Sequence, residues 1–85
     1  MPEISRFLGI VVRMYYREHS PPHFHARYGR YEVTVEIESG YVYGSFPPRA
    51  LRHVLEWRAL HRNELAEDWV LAAAGRRLRP IAPLE

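Results

Sequence analysis

Apolar and polar residues alternate with a period of two from Ile4 to Tyr16, which predicts one long first strand. Leu8, Ile10, Val12, Met14 and Tyr16 share one face of it. Phe7, Gly9, Val11, Arg13 and Tyr15 share the other. A strand apolar on both sides is expected at a covered or central position. Gly9 inside the run suggests a bulge or a close backbone approach. Arg17 to His23 reads as a loop, because Pro21-Pro22 cannot continue a ladder. Phe24 to Tyr28 is strand-like, and Gly29-Arg30 then separates it from the alternating run Tyr31 to Ile37. Two residues led by glycine predict a type II′ hairpin turn. Glu38-Ser39-Gly40 is a further turn, and Tyr41 to Ser45 a fourth strand.

From Pro47-Pro48 the period changes to that of a helix, and paired prolines suit a helix start. Leu51, Val54, Leu55 and Trp57 make an apolar face. The helix is expected to end near His61-Arg62, where cations complement its dipole. Asn63 is the expected N-cap of a second helix lined by Leu65, Trp69, Ala72 and Ala73. Gly75 is its expected stop. These elements predict an α+β fold: an antiparallel four-stranded meander (ββββ) followed by two helices packed on one face. Residues 1–85 are expected to form a single domain, with 76–85 a basic extended C-terminal tail that docks through Leu78 and Ile81.

Composition narrows the function classes. A chain of 85 residues buries roughly 60–65 % of its unfolded surface, so a partner or a homodimer interface would add stability. Cysteine is absent, which excludes disulfides and thiolate metal sites. Pro2-Glu3-Ile4-Ser5-Arg6 lacks the pattern of a leader peptide. Leu8 to Val12 is far too short to span a bilayer. The expected setting is cytoplasmic, without a membrane. All 12 cations are arginine, yet the net charge is only +2, so charge alone is no argument for nucleic acid.

The Gly29-Arg30 turn fixes a register that sorts residues by polarity. Tyr28 lies opposite Tyr31, Arg27 opposite Glu32, Ala26 opposite Val33, His25 opposite Thr34, Phe24 opposite Val35 and His23 opposite Glu36. One face is then apolar. The other gathers His23, His25, Arg27, Glu32, Thr34 and Glu36.

Several chemistries suit that polar face. His23 and His25, as alternate strand residues, point the same way and can ligate a divalent metal such as zinc, with His19 as a third ligand and Glu36 orienting them or serving as a fourth. A metal-free site would move protons through His23 or His25 and Glu36, while Arg27 holds a phosphate. Such a set could cleave RNA through its own 2′-hydroxyl. The face can also bind a partner, or it can be an ordinary solvated sheet surface with Arg27–Glu32 a cross-strand pair. His53 and His61 read as surface residues, and Trp57 and Trp69 as core. Arg49, Arg52, Arg58 and Arg62 read as a solvated stripe, and the tyrosines as packing residues. Arg76-Arg77-Leu78-Arg79 offers a contact for phosphate or an acidic partner.

The opening Met1-Pro2-Glu3-Ile4-Ser5-Arg6-Phe7, the block His19-Ser20-Pro21-Pro22-His23-Phe24-His25-Ala26, the helix word Leu55-Glu56-Trp57, the late Trp69 and the closing Ile81-Ala82-Pro83-Leu84 carry a resemblance. Together they resemble the DUF4160-type family of short prokaryotic proteins, a domain of unknown function with a P-H-F-H block. The resemblance implies a component of a two-gene toxin–antitoxin-like or regulatory module. Its partner would be a cognate small protein from an adjacent gene; action on or near RNA or DNA is the lead reading of the polar face within such a module. The alternatives are a divalent-metal-binding protein or metal-dependent hydrolase using His19, His23 and His25, and a non-catalytic structural adaptor. The resemblance assigns no catalytic roles.

Overall fold

The computed structural model describes residues 2–85; Met1, part of the opening word above, lies outside them. Among the described residues the order is β1 (Glu3–Phe7), β2 (Ile10–Arg13), β3 (His23–Tyr28), β4 (Tyr31–Glu36), β5 (Val42–Ser45), α1 (Pro48–Leu60) and α2 (Arg62–Ala73). The strands form one antiparallel sheet in chain order.

Five strands replace the four expected. The long first strand is a hairpin, with Phe7 opposite Ile10 and Leu8-Gly9 as the two-residue turn. Leu8 and Gly9 both take positive φ, 50° and 80°, the pairing of a type I′ turn, which suits the twist of the flanking strands. Leucine is a poor residue there, so alternation runs through the turn and hides it. Leu8 is 59 % exposed, whereas Phe7, Ile10, Val12 and Met14 are buried. The register shifts between Glu3 and Ser5, which accounts for Ile4 and Ser5 both being buried as neighbours.

The β3–β4 register matches the expected one pair for pair. Gly29 is the positive-φ residue of that turn, at 60°, as a type II′ turn requires. Phe24, Ala26, Val33 and Val35 therefore face the core with Ile10 and Val12. Ala50, Val54 and Trp57 of α1 and Leu65 and Ala72 of α2 complete that core. Trp57 is its hub, with ring centroids 5.4 Å from Phe7 and 5.6 Å from Phe24. Burial of such a side chain stabilises by about 2–3 kcal/mol.

Pro47 is the N-cap of α1 and Pro48 opens it. The N-cap of α2 is His61 rather than Asn63, because the two helices join without a linker. Ala73 is exposed and Asp68 takes a buried place beside Leu65 and Ala72. Gly75, at φ 70°, ends α2. Its N–H donates to the Ala72 carbonyl at 3.1 Å and that of Arg76 to Leu71 at 2.8 Å, the paired bonds of a Schellman stop. The tail then docks. The Arg79 N–H donates to Asp68 Oδ1 at 2.9 Å, the Ile81 N–H to the Ile4 carbonyl at 2.7 Å, and Trp57 Nε1 to the Ala82 carbonyl at 2.9 Å. Ile81 is buried and Leu78 and Leu84 pack against the core. No helix among the described residues is long and apolar enough to cross a membrane.

The opposite face of the sheet carries polar and aromatic side chains. Cross-strand pairing lines up Arg13, His25, Thr34 and Tyr43 across four strands.

Candidate metal centre

His23 and His25 occupy the start of β3, two residues apart on one face, so their rings stand side by side with centroids 5.3 Å apart. The loop between β2 and β3 folds back over them. Arg17 turns the chain with φ 55°, its N–H donates to the Ala72 carbonyl at 3.2 Å, and its guanidinium lies over Gly75, where a Cβ would collide with it. The Ile37 N–H donates to the Pro22 carbonyl at 3.0 Å and holds the far end of the loop. This closure delivers Glu18 to the imidazoles. Glu18 Oε1 lies 2.9 Å from His23 Nε2 and 3.0 Å from His25 Nε2.

The protons on His23 decide what this cluster can do. Its Nδ1 is 2.7 Å from the Pro21 carbonyl. A carbonyl oxygen can only accept, so Nδ1 carries a proton. A neutral His23 therefore aims the lone pair of Nε2 at the carboxylate of Glu18, and two acceptors oppose each other. A proton on Nε2 resolves the clash by forming an imidazolium, and so does a cation held between the two atoms. The ring is only 9 % exposed, so water contributes little. The second arrangement is that of a metal-ligating histidine, which donates its other N–H to a carbonyl that fixes the ring. His25 is oriented by Thr34 Oγ1 at 3.4 Å and Glu32 Oε2 at 3.8 Å from its Nδ1. Tyr15 meets its ring edge-on at 4.4 Å, and Trp69 of α2 packs against His23 at 5.1 Å.

One donor atom each from Glu18, His23 and His25 lies within 4.8 Å of the others. Two imidazole nitrogens and one carboxylate oxygen, partly buried, suit zinc and neighbouring divalent ions. Burial works to raise the Glu18 pKa, but the hydrogen bonds with His25 and His23 outweigh it and hold the carboxyl below its ordinary value. The acid is therefore ionised and ready to ligate.

The three residues line a cleft of about 340 Å³ together with His19, Ser20, Pro21, Thr34, Glu36 and Tyr43. His19 is exposed at this cleft, its ring centroid 6.4 Å from that of His23. Glu36 faces His23 across the ladder, but its carboxylate is held by Ser39 Oγ at 2.7 Å and Tyr43 Oη at 2.8 Å. Those two hydroxyls keep its pKa below the usual range. The acid that meets the imidazoles is thus Glu18. Arg27 stands at the other end of β3, outside the cleft lining, and its Nε donates to the Gly29 carbonyl at 3.1 Å. The residue that sequence reasoning missed is Glu18. Its signal was an acid directly ahead of the His19, His23, His25 series, in a loop where periodicity carries no information.

The family model described as domain of unknown function (DUF4160) matches residues 9–70. The chain belongs to the DUF4160 family. No curated protein and no solved structure gives a match. The DUF4160 span contains every cleft residue from Glu18 to Tyr43, together with Trp69 and the block Pro22-His23-Phe24-His25. In that block both histidines face the cleft while Phe24 faces the core.

Proposed function

We propose that this DUF4160 domain binds a divalent transition-metal ion through Glu18, His23 and His25, and that the ion acts on ligands entering the cleft. The observation that supports this reading is the His23 ring, with Nδ1–H committed to Pro21 and Nε2 facing a carboxylate oxygen shared with His25. Three protein donors leave a metal with an open side, which is the pattern of catalytic rather than structural sites. His19 or a water would fill that position. Glu36 is the acid placed to orient such a water. Arg27, engaged by Gly29, supplies no anion contact in the cleft, which favours the metal over metal-free phosphate chemistry.

The test is calorimetric titration with zinc, nickel and manganese. Wild type is expected to bind at least one of them with micromolar affinity or better. Glu18→Ala, His23→Ala and His25→Ala should each weaken binding by about tenfold or more. Affinity no better than millimolar, unchanged in all three variants, would sink the reading.

A second reading is a role beside a cognate small protein in a toxin–antitoxin-like or regulatory pair, acting on RNA or DNA, or a second copy as partner. Leu60 on α1 and Val70 on α2 are the large apolar residues that the helices expose, and they are where such a contact is tested. Co-purification that is lost in Leu60→Glu and Val70→Glu would support it; an unchanged yield of the complex would remove that surface from consideration.

A further inference from the structure

Beside the metal cleft lies a shallow, open surface depression lined by Glu36, Ser39, Gly40, Tyr41 and Tyr43. Its chemistry differs from that of the cleft. Tyr41 and Tyr43 are 60 % and 51 % exposed. Their rings meet at 66° with centroids 4.8 Å apart, so they form two walls of a corner instead of a flat stack. The third wall is the Glu36 carboxylate, which the Ser39 and Tyr43 hydroxyls fix in place. Each of its oxygens accepts one hydrogen bond from within the protein and keeps a further lone pair for a ligand.

One protein cation, Arg58, stands at the Gly40 edge of this corner, and none covers its aromatic faces. Arg30 covers Tyr31 at 5.8 Å from the ring centroid. Among the described residues no arginine stands over Tyr41 or Tyr43 and none is paired with Glu36. Arg58 reaches Gly40, where its guanidinium donates to the carbonyls of Ile37 at 2.8 Å and Glu38 at 2.6 Å and leaves Glu36 without a direct ion pair. Aromatic faces set around a carboxylate attract a positive, weakly hydrated group through the ring quadrupoles and the charge together. A phosphate or carboxylate would meet Glu36 and be repelled.

We propose that Glu36, Tyr41 and Tyr43 form a binding site for an alkylammonium group. Glu36 supplies the countercharge, Tyr41 and Tyr43 supply the faces, and the Tyr43 hydroxyl sets the direction of the carboxylate. The site does not depend on the metal. Because Glu36 and Tyr43 line both the depression and the cleft, a ligand held here by its ammonium extends its body into the metal cleft.

The experiment is an NMR titration of the metal-free protein, in chelator, with tetramethylammonium chloride, and with tert-butanol as an uncharged counterpart of similar size. Wild type should bind tetramethylammonium with a dissociation constant on the order of millimolar, with shifts centred on Tyr41 and Tyr43. The alcohol should bind about tenfold more weakly or not at all. Glu36→Gln and Tyr41→Leu should each weaken the cation by about tenfold. Added salt should weaken it as well, because Glu36 is solvated. Equal binding of the alcohol, equal binding by Glu36→Gln, or no localised shifts at a hundred millimolar probe would each overturn the proposal. Failure of metal binding would not, since the titration is run without metal.

Discussion

At the scale of the residue, His23 is the side chain on which the account turns. It is held between a carbonyl that demands its proton and a carboxylate that needs a positive neighbour. Its partner Glu18 gives a measurable consequence even without metal. The Glu18 pKa lies below its ordinary value of 4.5, so the folded state favours the ionised form. That contribution to stability is fully present above the unfolded pKa and is lost as pH falls through the lower folded value. In chelator, the stability gap between wild type and Glu18→Gln should close as the solution is acidified below about pH 5. Urea unfolding at successive pH values reads this. A gap that widens towards acid would mean that the carboxylate is not held by the two imidazoles. The histidines and Glu36 were legible in the sequence because a two-residue turn fixes register, and register dictates which side chains share a face. Glu18 was not, because its position depends on how the Arg17 turn docks on the end of α2.

At the scale of the element, the same contrast recurs. The β3–β4 hairpin announces itself through Gly29, but the β1–β2 hairpin places Leu8 at the first turn position and so reads as unbroken strand. The cost of holding leucine in the left-handed region is about 1 kcal/mol. Leu8→Asn, which tolerates that conformation and removes an exposed apolar side chain, should stabilise the protein by about 0.5–1 kcal/mol. Thermal or urea unfolding checks it, and a loss of stability would mean that Leu8 packs against something at the tip. Gly9 is the complementary device: a Cβ there would come within 3.1 Å of the Tyr28 ring. The α1–α2 junction was misplaced by two residues because His61 serves as C-cap of one helix and N-cap of the next, and no side-chain cap marks it.

At the scale of the whole molecule, the sheet has two faces with separate tasks. One is sealed by α1, α2 and the tail; the other carries the cleft. The tail is structural despite its polar composition, since Arg79, Ile81 and Ala82 bond to α2, β1 and Trp57 in turn. Removing residues 79–85 deletes those bonds and the buried Ile81. The expected cost is about 3–5 kcal/mol, a large part of the stability of a domain this size. Denaturant unfolding of the truncated chain tests this, and a cost near zero would show that the tail only rests on the surface. The tail's docking could be anticipated from Ile81 but its hydrogen bonds could not, because they depend on where Asp68 and Trp57 come to lie in the folded chain.

The most direct test of the central claim is the state of the histidine ring nitrogens, read from long-range proton–nitrogen NMR spectra before and after one equivalent of zinc. His23 is expected to carry its proton on Nδ1 throughout. Nε2 of both His23 and His25 should move to the metal-bound range on adding zinc, while His53 and His61 stay where they were. A His23 proton on Nε2 alone, or ring nitrogens at 23 and 25 unmoved by saturating zinc, would contradict the claim.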